Sequence, residues 1–461
     1  MKFDVIVIGS GPGGYVAAIR ASQLGKKVAV IEKESIGGIC LNWGCIPTKA
    51  LLKSAQVFDY LNHSESYGIQ ASSPKIDFNA VIARSRSVAD KMSSGVQYLF
   101  KKNKIELIQG HGRLKGSKKV EVNFEGKTSI YEADHIILAT GARSRELPNI
   151  KIDGKKVIGY RQAMVLPKQP ESMLVIGSGA IGSEFAYFFN TIGTDVSLVE
   201  IFPDIVPLED EEVSKQLARS FKKNKMKVYT DTIVEHVDTS GKKCKVTLKT
   251  KKAEEVIECD IVLSAVGIVP NTEDIGLEAA GVKAENGKII VDEYYNTNVS
   301  GIYAIGDIIP GPALAHVASA EGIICVEKFC GTQPAKLDYN NIPACTYTNP
   351  EVASVGLTEK AAKESGYDIK VGKFPFSASG KASASGQNEG FIKLIFDAQY
   401  GELLGAHFIG ANVTEMIAEI VVARKLEITG HELIKTVHPH PTMSEAIMEA
   451  AAAAYGEVIH L

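Results

Sequence analysis

Residues Asp4–Gly14 read DVIVIGSGPGG, an apolar run that leads directly into closely spaced glycines. Such a run suits a buried parallel strand. In a G-x-G-x-x-G turn after a strand, the first glycine allows the tight turn, the second admits a pyrophosphate and the third lets the helix pack closely. Gly9, Gly11 and Gly14 occupy these positions, and the next strand, KVAVIE, ends at Glu32. Because an acidic side chain there can bind ribose hydroxyls, the segment predicts a dinucleotide-binding unit.

The same module occurs a second time, 168 residues further along the chain. VIGSG stands at Val7–Gly11 and again at Val175–Gly179. At this offset the landmarks of the first copy recur as Gly177, Gly179, Gly182 and Glu200. Two copies in full strand–turn–helix–strand order are much stronger evidence than one glycine motif. We therefore expect an α/β fold with two Rossmann-like dinucleotide-binding domains.

Glu200 also discriminates between nicotinamide cofactors. A carboxylate at this position repels the 2′-phosphate of NADP, which would want an arginine nearby. Residues 201–215 contain no Arg, and their first basic residue is Lys215. The second module therefore favours NAD over NADP.

A cysteine pair follows the first module, in the stretch GGICLNWGCIPTK at Gly37–Lys49. Five residues of ideal helix would separate Cys40 and Cys45 by about 7.5 Å along the axis. The Cα atoms of a disulfide lie roughly 4.4–6.8 Å apart, so the backbone must be distorted here. Gly44 and Pro47 suit such a distortion. The pair favours a redox disulfide, while two buried free thiols or half of a metal site are the alternatives.

The segment TVHPHPTMSEA, at Thr436–Ala446, contains a candidate base. An imidazole accepts protons near neutral pH, and dithiol oxidation needs such a group because the thiolate is the nucleophile. Glu445 is placed to orient the ring of His440. Thr442 and Glu445 equally match a capping box, and His440 is also compatible with a structural role. The residues alone leave these alternatives open.

The bulk properties exclude several function classes. The chain has 461 residues, enough for roughly three domains. Its net charge of −3 gives no general attraction to nucleic acid, and no apolar stretch approaches the roughly 20 residues of a membrane span. The first strand begins at Asp4, so we expect a cytoplasmic protein, or a mitochondrial matrix protein only if a presequence has been removed. Five scattered cysteines are expected to be inert thiols: Cys244, Cys259, Cys325, Cys330 and Cys345.

Turn-rich stretches predict where the domains end. We expect a first nucleotide-binding part at 1–150, a second domain at 151–270, a central part at 271–338 that completes the first domain, and a final α+β domain at 339–461. Within the central part, NVSGIYAIGD delivers Asp307 at the carboxyl end of a short strand. Ligands on open α/β sheets sit beyond such ends, so Asp307 is a candidate for a cofactor hydroxyl, with a surface turn as the alternative.

Together these motifs resemble the pyridine nucleotide-disulfide oxidoreductases, most closely the members that oxidise dihydrolipoamide. The resemblance covers essentially the whole chain. The stretches that carry it are GSGPGG at 9–14, GGICLNWGCIPTK at 37–49, ATG at 139–141, GSGAIGSEF at 177–185, AVGIVPNT at 265–272, GIYAIGD at 301–307, YTNPEVASVGLTE at 347–359 and HPHPTMSEA at 438–446.

The resemblance implies an FAD enzyme that oxidises protein-bound dihydrolipoamide to lipoamide and reduces NAD⁺. Cys40 would meet the substrate and Cys45 the flavin. The final domain would form a homodimer in which His440 and Glu445 act on the disulfide of the other subunit. The implied cofactor residues are Gly9, Gly11, Gly14, Glu32, Lys49, Gly112, Gly141, Asp307 and Ala315 for FAD, Gly177, Gly179, Gly182, Glu200 and Gly267 for NAD, and Glu184 as the acidic partner of Lys49. The implied partner is a lipoyl-bearing acyltransferase or carrier protein of a 2-oxo acid dehydrogenase or glycine-cleavage complex, and no metal is expected.

Two residues depart from the family pattern, and several rivals remain. Ile39 and Trp43 stand where the family often has Thr and a small or polar residue, which bears on flavin-side packing and cysteine access. A glutathione-type reductase would favour NADP, and a mercuric reductase would carry a terminal Cys pair where this chain ends GEVIHL. A nucleotide-binding scaffold protein without redox activity would not require the two cysteines and His440 together.

Overall fold

The computed structural model describes residues 1–461. They form two compact units, each described by itself below. The first comprises Met1–Leu51, Asn79–Arg145 and Gly267–Leu337, and the second comprises Leu52–Phe78, Glu146–Val266 and Asp338–Leu461. The domain borders expected after residues 150, 270 and 338 stay a prediction.

The first unit is built on a seven-stranded sheet. Five strands run parallel in the order Glu106–Gln109, Val28–Glu32, Lys2–Ile8, Lys127–Leu138 and Ile302–Ala304, and the antiparallel strands Lys119–Phe124 and His111–Leu114 extend the sheet from Lys127–Leu138. Two short ribbons complete the unit, Ala142–Ser144 with Ile268–Pro270 and Ala284–Glu285 with Lys288–Ile289. The strands that the first glycine motif predicted are therefore central to a parallel sheet.

The second unit contains three sheets. A parallel sheet has the strand order Lys227–Tyr229, Asp195–Val199, Ser172–Ile176, Ile261–Ser264 and Val157–Ile158. A three-stranded antiparallel sheet consists of Ile233–Asp238, Cys244–Lys249 and Glu254–Cys259. The C-terminal sheet is antiparallel, in the order Ala344–Thr346, Glu351–Gly356, Leu403–Gly410, Phe391–Asp397 and Ile369–Pro375. The expected α/β class with a final α+β part is confirmed.

Helices connect and cover these sheets. The α-helices are Pro12–Gln23, Gly38–Asn42, Cys45–Asn62, Phe78–Lys102, Tyr160–Ala163, Ala180–Thr191, Glu211–Lys223, Leu277–Ala280, Ala315–Phe329, Glu359–Glu364, Gly380–Ser385, Val413–Lys425, Gly430–Lys435 and Glu445–Tyr455, and short 3₁₀ turns lie at Ser64–Tyr67, Gly306–Ile308, Tyr339–Asn341 and Phe376–Ala378. Gly25 and Gly193 follow the first helix of each nucleotide module with positive φ, as helix-ending glycines do. No helix is long and apolar enough to cross a membrane.

The core of each unit follows the strands. In the first unit the side chains of Val5–Ile8 and Val28–Ile31 are buried on both faces of the sheet, as parallel strands covered by helices require. In the C-terminal sheet every residue of Phe391–Asp397 and Leu403–Gly410 is buried. Three of these residues, Lys393, Asp397 and His407, are polar, so this part of the core encloses titratable groups.

Candidate redox centre and nucleotide sites

Each nucleotide module ends in a carboxylate that is held by a serine of its own glycine loop. In the first module Oε2 of Glu32 accepts hydrogen bonds from the backbone N and Oγ of Ser10, at 2.9 and 2.6 Å. In the second, Oε2 of Glu200 accepts the same two bonds from Ser178, at 2.8 and 2.6 Å. The other oxygen of each carboxylate accepts a backbone N–H two residues further on, at 2.9 and 3.1 Å. The repeat seen in the sequence is thus reproduced in individual hydrogen bonds.

The glycines of both loops have the spatial roles that the motif predicted. A Cβ at Gly14 would lie 2.0 Å from the carbonyl oxygen of Gly9, and the corresponding distance from Gly182 is 1.9 Å. No side chain fits at these positions, because the helix packs directly on the turn. By contrast, a Cβ at Gly11 or Gly179 would meet nothing within 4 Å. Both cap a helix N-terminus, where free N–H groups favour a phosphate.

A cavity of about 430 Å³ lies beside Glu32 in the first unit, and its lining residues are Glu32, Glu34, Ser35, Ile36, Asn42, Asp90, Ser93, Ser94, Gln97, Leu107 and Gln109. Gly112, on the strand His111–Leu114, is packed so that a Cβ would lie 3.0 Å from Ile31. Gly141 has φ of +67° and open space around it. The open loop and the adjoining cavity fit the adenosine diphosphate half of a dinucleotide.

A second helix N-terminus belongs to the same unit. The helix Ala315–Phe329 packs against Pro12–Gln23 so closely that a Cβ at Gly322 would lie 2.8 Å from the carbonyl oxygen of Gly13. Asp307 lies shortly before this helix in a 3₁₀ turn. Burial raises the pKa of Asp307, and Lys288 opposes the shift.

The remaining predicted nucleotide residues lie on three different elements. Lys49 lies one helical turn after Cys45 on the helix Cys45–Asn62. Glu184 is buried on Ala180–Thr191, and its Oε1 accepts the backbone N–H of Tyr347 at 3.0 Å. Gly267 has φ of +108°, and its carbonyl accepts the N–H of Arg145 at 3.0 Å.

The two cysteines lie on either side of a break between helices. Cys40 belongs to Gly38–Asn42, and Cys45 begins the helix that follows. The expected distortion of the backbone is present, and its position is Trp43 and Gly44. A Cβ at Gly44 would lie 3.0 Å from the carbonyl oxygen of Ile39, so the break is tightly packed.

Pro47 does not make this break. It is the third residue of the helix Cys45–Asn62, and a helix N-terminus needs no N–H donor there. No group of three or more His, Cys, Asp or Glu side chains in the structure could hold a metal ion. The metal alternative for the cysteine pair therefore lacks further ligands.

Both cysteines are thiols in this structure, with Cys40 half-buried and Cys45 exposed. A hydrogen bond between their side chains, followed by burial, raises the pKa of the Cys40 thiol, and the charge of Lys49 opposes the shift. The sulfurs are therefore close enough to interact. Because a thiol must lose its proton before it attacks, dithiol chemistry at this pair depends on a base.

The candidate base is paired with its carboxylate. Nδ1 of His440 lies 2.8 Å from Oε1 of Glu445. Oε2 of Glu445 accepts the backbone N–H of Thr442 at 2.8 Å, while the Thr442 hydroxyl donates to Pro439 rather than capping the helix. The capping box is not formed, because the helix begins only at Glu445 and its N-cap is Ser444. Glu445 instead joins the loop N–H of Thr442 to the imidazole of His440. Burial raises the pKa of Glu445, but the bonds from Thr442 and His440 outweigh it, so the pKa lies below its usual range.

His438 forms a second imidazole–carboxylate pair. Its Nε2 lies 2.8 Å from Oε1 of Glu419, and its side chain is almost entirely buried. The hydrogen bond to Glu419 raises the pKa of His438. His440, by contrast, has a side chain that is 79% exposed. Of the two histidines, only His440 is open to a reactant.

Family models place the chain among known proteins. Residues 3–322 match the model described as pyridine nucleotide-disulphide oxidoreductase. Residues 342–451 match the dimerisation domain of the same family. The chain belongs to this family.

Several known proteins are similar to this chain over nearly its whole length. A dihydrolipoyl dehydrogenase from Zymomonas mobilis is 49% identical over 463 residues, covering 99% of each chain. One from Bacillus subtilis is 42% identical and covers 100% of this chain and 99% of its own. Among solved structures, LpdA from Mycobacterium tuberculosis superposes with a TM-score of 0.91 at 28% identity, covering 97% of this chain and 98% of its own.

Membership in the family confirms part of the sequence-based expectations. Pyridine nucleotide-disulphide oxidoreductases use FAD and NAD, as expected for this chain. The chain carries the dimerisation domain, which supports the expected homodimer. The roles of individual residues stay predictions.

Sequence reasoning missed residues that support the predicted ones. Ser10 and Ser178 lie inside the repeated VIGSG, and the recurrence of the serine at the same offset could have indicated their shared role. Trp43, one of the two departures, packs with its ring centroid 4.8 Å from the guanidinium carbon of Arg86. Arg86 also donates to the carbonyl of Asn42 at 2.6 Å. No local pattern in the sequence links Arg86 to the cysteine loop.

Proposed function

We propose that the chain is a dihydrolipoyl dehydrogenase, which oxidises protein-bound dihydrolipoamide to lipoamide and reduces NAD⁺ to NADH. The observation that carries the proposal is the combination of a cysteine pair at a helix break with an exposed imidazole held by a carboxylate. The full-length similarity to dihydrolipoyl dehydrogenases supports the choice of substrate.

The residues of the first unit fit FAD. The open space at Gly11, the ribose acceptor Glu32 with its cavity, and the helix that begins at Ala315 are suited to hold the dinucleotide, with Asp307 and Lys49 as further contacts. When bound, FAD accepts the electron pair of the reduced cysteines and passes hydride to NAD⁺.

The chain's own residues carry out the thiol–disulfide step. His440 of the partner subunit takes the proton of one substrate thiol, and the thiolate attacks Sγ of Cys40. The Cys40–Cys45 bond breaks, and Cys45 leaves as a thiolate. The second substrate thiol then attacks the mixed disulfide, so that lipoamide leaves and Cys40 becomes a thiol. Dihydrolipoamide has lost two electrons in becoming lipoamide, and the reduced cysteine pair holds them.

Glu445 supports this step by fixing the imidazole. Its bond to Nδ1 leaves Nε2 of His440 as the proton acceptor and stabilises the imidazolium that forms. The carboxylate stays charged because its pKa lies below the usual range. Glu200 favours NAD at the second module, since its carboxylate would repel a 2′-phosphate.

We infer that the enzyme works as a homodimer with a composite site, and that its partner is a lipoyl-bearing acyltransferase or carrier protein of a 2-oxo acid dehydrogenase or glycine-cleavage complex. The five cysteines outside the redox pair, all of them free thiols here, support a reducing compartment such as the cytoplasm.

The first test is the initial rate of NAD⁺ reduction by dihydrolipoamide on the purified flavoprotein, with NADP⁺ alongside. We expect fast turnover with NAD⁺ and little with NADP⁺. Absence of turnover in an FAD-loaded enzyme with a reducible disulfide would contradict the proposed substrate. A parallel assay with NADPH and glutathione disulfide tests the nearest rival.

Replacing Cys45 tests the proposed disulfide directly. Cys45→Ser should retain FAD but lose lipoamide turnover by at least about a thousandfold, since no disulfide forms. Cys330→Ser, at a half-buried cysteine outside the motif, is the matched control and should keep full activity. Wild-type turnover in the Cys45→Ser variant would refute the scheme.

A further inference from the structure

The second unit buries an ammonium group that the redox chemistry does not use. Lys393 is 1% exposed. Its Nζ lies 2.9 Å from Oδ1 of Asp210, 2.9 Å from Oε2 of Glu212 and 2.7 Å from Oε2 of Glu359. We call these four residues the Lys393 cluster. A buried charge is costly unless it is paired and hydrogen-bonded, and here three carboxylates meet that requirement.

The Lys393 cluster lies on a polar row across the C-terminal sheet. Ser354, His407, Lys393 and Lys373 are register partners on four adjacent strands, so their side chains share one face. Lys373 contacts the second oxygen of Glu212 at 2.6 Å, and Lys363 contacts that of Glu359 at 2.6 Å. The flanking lysines balance the excess negative charge of the cluster.

Asp210 links this row to the nucleotide-binding part of the same unit. It is the N-cap of the helix Glu211–Lys223, where its Oδ1 accepts the N–H of Glu212 at 3.1 Å. Its Oδ2 accepts the N–H of Glu359 at 3.2 Å. The start of the helix is therefore fixed to the C-terminal sheet through Asp210 and through Glu212 in its first turn.

The segment Ile201–Glu209 connects Glu200 to this fixed point and contains a strained residue. Val206 is buried and has φ of +43°, a conformation that β-branched residues rarely adopt. Its N–H donates to Oγ of Ser178 at 3.1 Å, the hydroxyl that also binds Glu200. Its carbonyl accepts the N–H of Glu209 at 2.9 Å.

The first module makes the corresponding hydrogen bond to its loop serine without backbone strain. There Gly37 donates its N–H to Oγ of Ser10 at 3.1 Å and has φ of +90°. Glycine adopts positive φ at no steric cost. The second module has valine at the matching contact, so its loop conformation depends on being held at both ends.

We propose that the Lys393 cluster helps to position the pyridine nucleotide. The cluster holds Ile201–Glu209 in its strained conformation and thereby orients Glu200 toward the ribose. The inference rests on the proposed binding of NAD at Glu200. Ser178 holds the segment at Val206, and Asp210 fixes the residue that follows its C-terminal end. If the Asp210 end loosens, the strain at Val206 is released and the shared hydroxyl of Ser178 shifts.

The test uses the FAD-loaded enzyme with dihydrolipoamide and NAD⁺. Asp210→Asn keeps an N-cap acceptor but removes one of the three negative charges that bind Lys393. We expect the KM for NAD⁺ to rise about tenfold, with kcat and the KM for dihydrolipoamide unchanged. Glu359→Gln, which acts on Lys393 from the C-terminal domain, should change the same constant in the same direction.

Controls separate positioning from general damage. Lys215→Gln breaks an exposed pair with Glu211 on the same helix and should leave every constant unchanged. The rate at which dihydrolipoamide bleaches the flavin without NAD⁺ should also stay at its wild-type value in Asp210→Asn. A fall in that rate together with the raised KM would indicate general damage and overturn the inference.

The variant Glu200→Gln separates a failure of this inference from a failure of the proposed NAD site. If Glu200→Gln raises the KM for NAD⁺ but Asp210→Asn and Glu359→Gln do not, the Lys393 cluster has no positioning role and the proposed NAD site stands. If Glu200→Gln also leaves this KM unchanged, the nucleotide lies elsewhere and both proposals fall.

Discussion

Glu209 is a carboxyl whose Oε2 is buried without a hydrogen-bond partner. Burial raises the pKa of Glu209 to about 7, the neighbouring charge of Asp210 adds to the shift, and a hydrogen bond to Ser354 opposes it. The folded protein therefore prefers the protonated side chain. Stability from this preference is fully present below pH 4.5, the ordinary pKa of the group, and is lost as the pH rises toward 7.

Glu209→Gln should remove this pH dependence. The linkage amounts to about 3 kcal/mol across the window, so at pH 8 we expect the variant to melt at a higher temperature than the wild type. At pH 4.5 the two melting temperatures should be close. Thermal unfolding of both proteins at the two pH values checks this, and a difference independent of pH would contradict the assigned pKa.

Single residues also show where sequence reasoning was sufficient and where it was not. The pairing of His440 with Glu445 lies within a motif six residues long, and it was expected. The burial of Lys393 was not, because FIKLIFD contains nothing that distinguishes its lysine from an exposed one. Its partner Asp210 lies 183 residues away, and only tertiary structure brings them together.

At the scale of elements, the glycine loop of the second module offers a matched pair of substitutions. Gly182→Ala places a Cβ 1.9 Å from a backbone oxygen, so the strand and helix must separate. We expect the free energy of unfolding to fall by about 2 kcal/mol or more, seen as a lower melting temperature. Gly179→Ala meets open space and should fold normally but raise the KM for NAD⁺ several-fold. Equal melting temperatures for the two variants would contradict the packing role of Gly182.

Elements with a strong local pattern were predicted well. The paired strands and helices of both modules follow from apolar runs, glycine turns and the offset of 168 residues. The break between the cysteine helices was also expected, but proline was credited with part of it. The proline instead lies in a first helical turn, where its missing N–H costs nothing. Residue types near a break do not reveal which of them causes it.

At the scale of the whole molecule, mixed dimers test the composite site. Cys45→Ser and His440→Gln homodimers should both be nearly inactive. If each site takes its disulfide from one subunit and its base from the other, as proposed, a heterodimer of the two has one site with both native residues. Random mixing on co-expression makes half of the dimers hybrid, so activity should recover to about a quarter of wild type. No recovery in isolated heterodimers would mean that each site is formed within one subunit.

The carboxylate of Glu200, the proposed ribose acceptor, also holds its own loop, and this limits which substitutions can change cofactor preference. It accepts hydrogen bonds from Ser178 and from the N–H of Phe202. A mutation to a small residue leaves these donors without an acceptor, at a cost of about 1–3 kcal/mol each where they are buried. A lineage drifting toward NADP would therefore lose stability before it gained affinity. Such a change therefore requires several substitutions together, which replace the acceptor of these hydrogen bonds as well as the carboxylate.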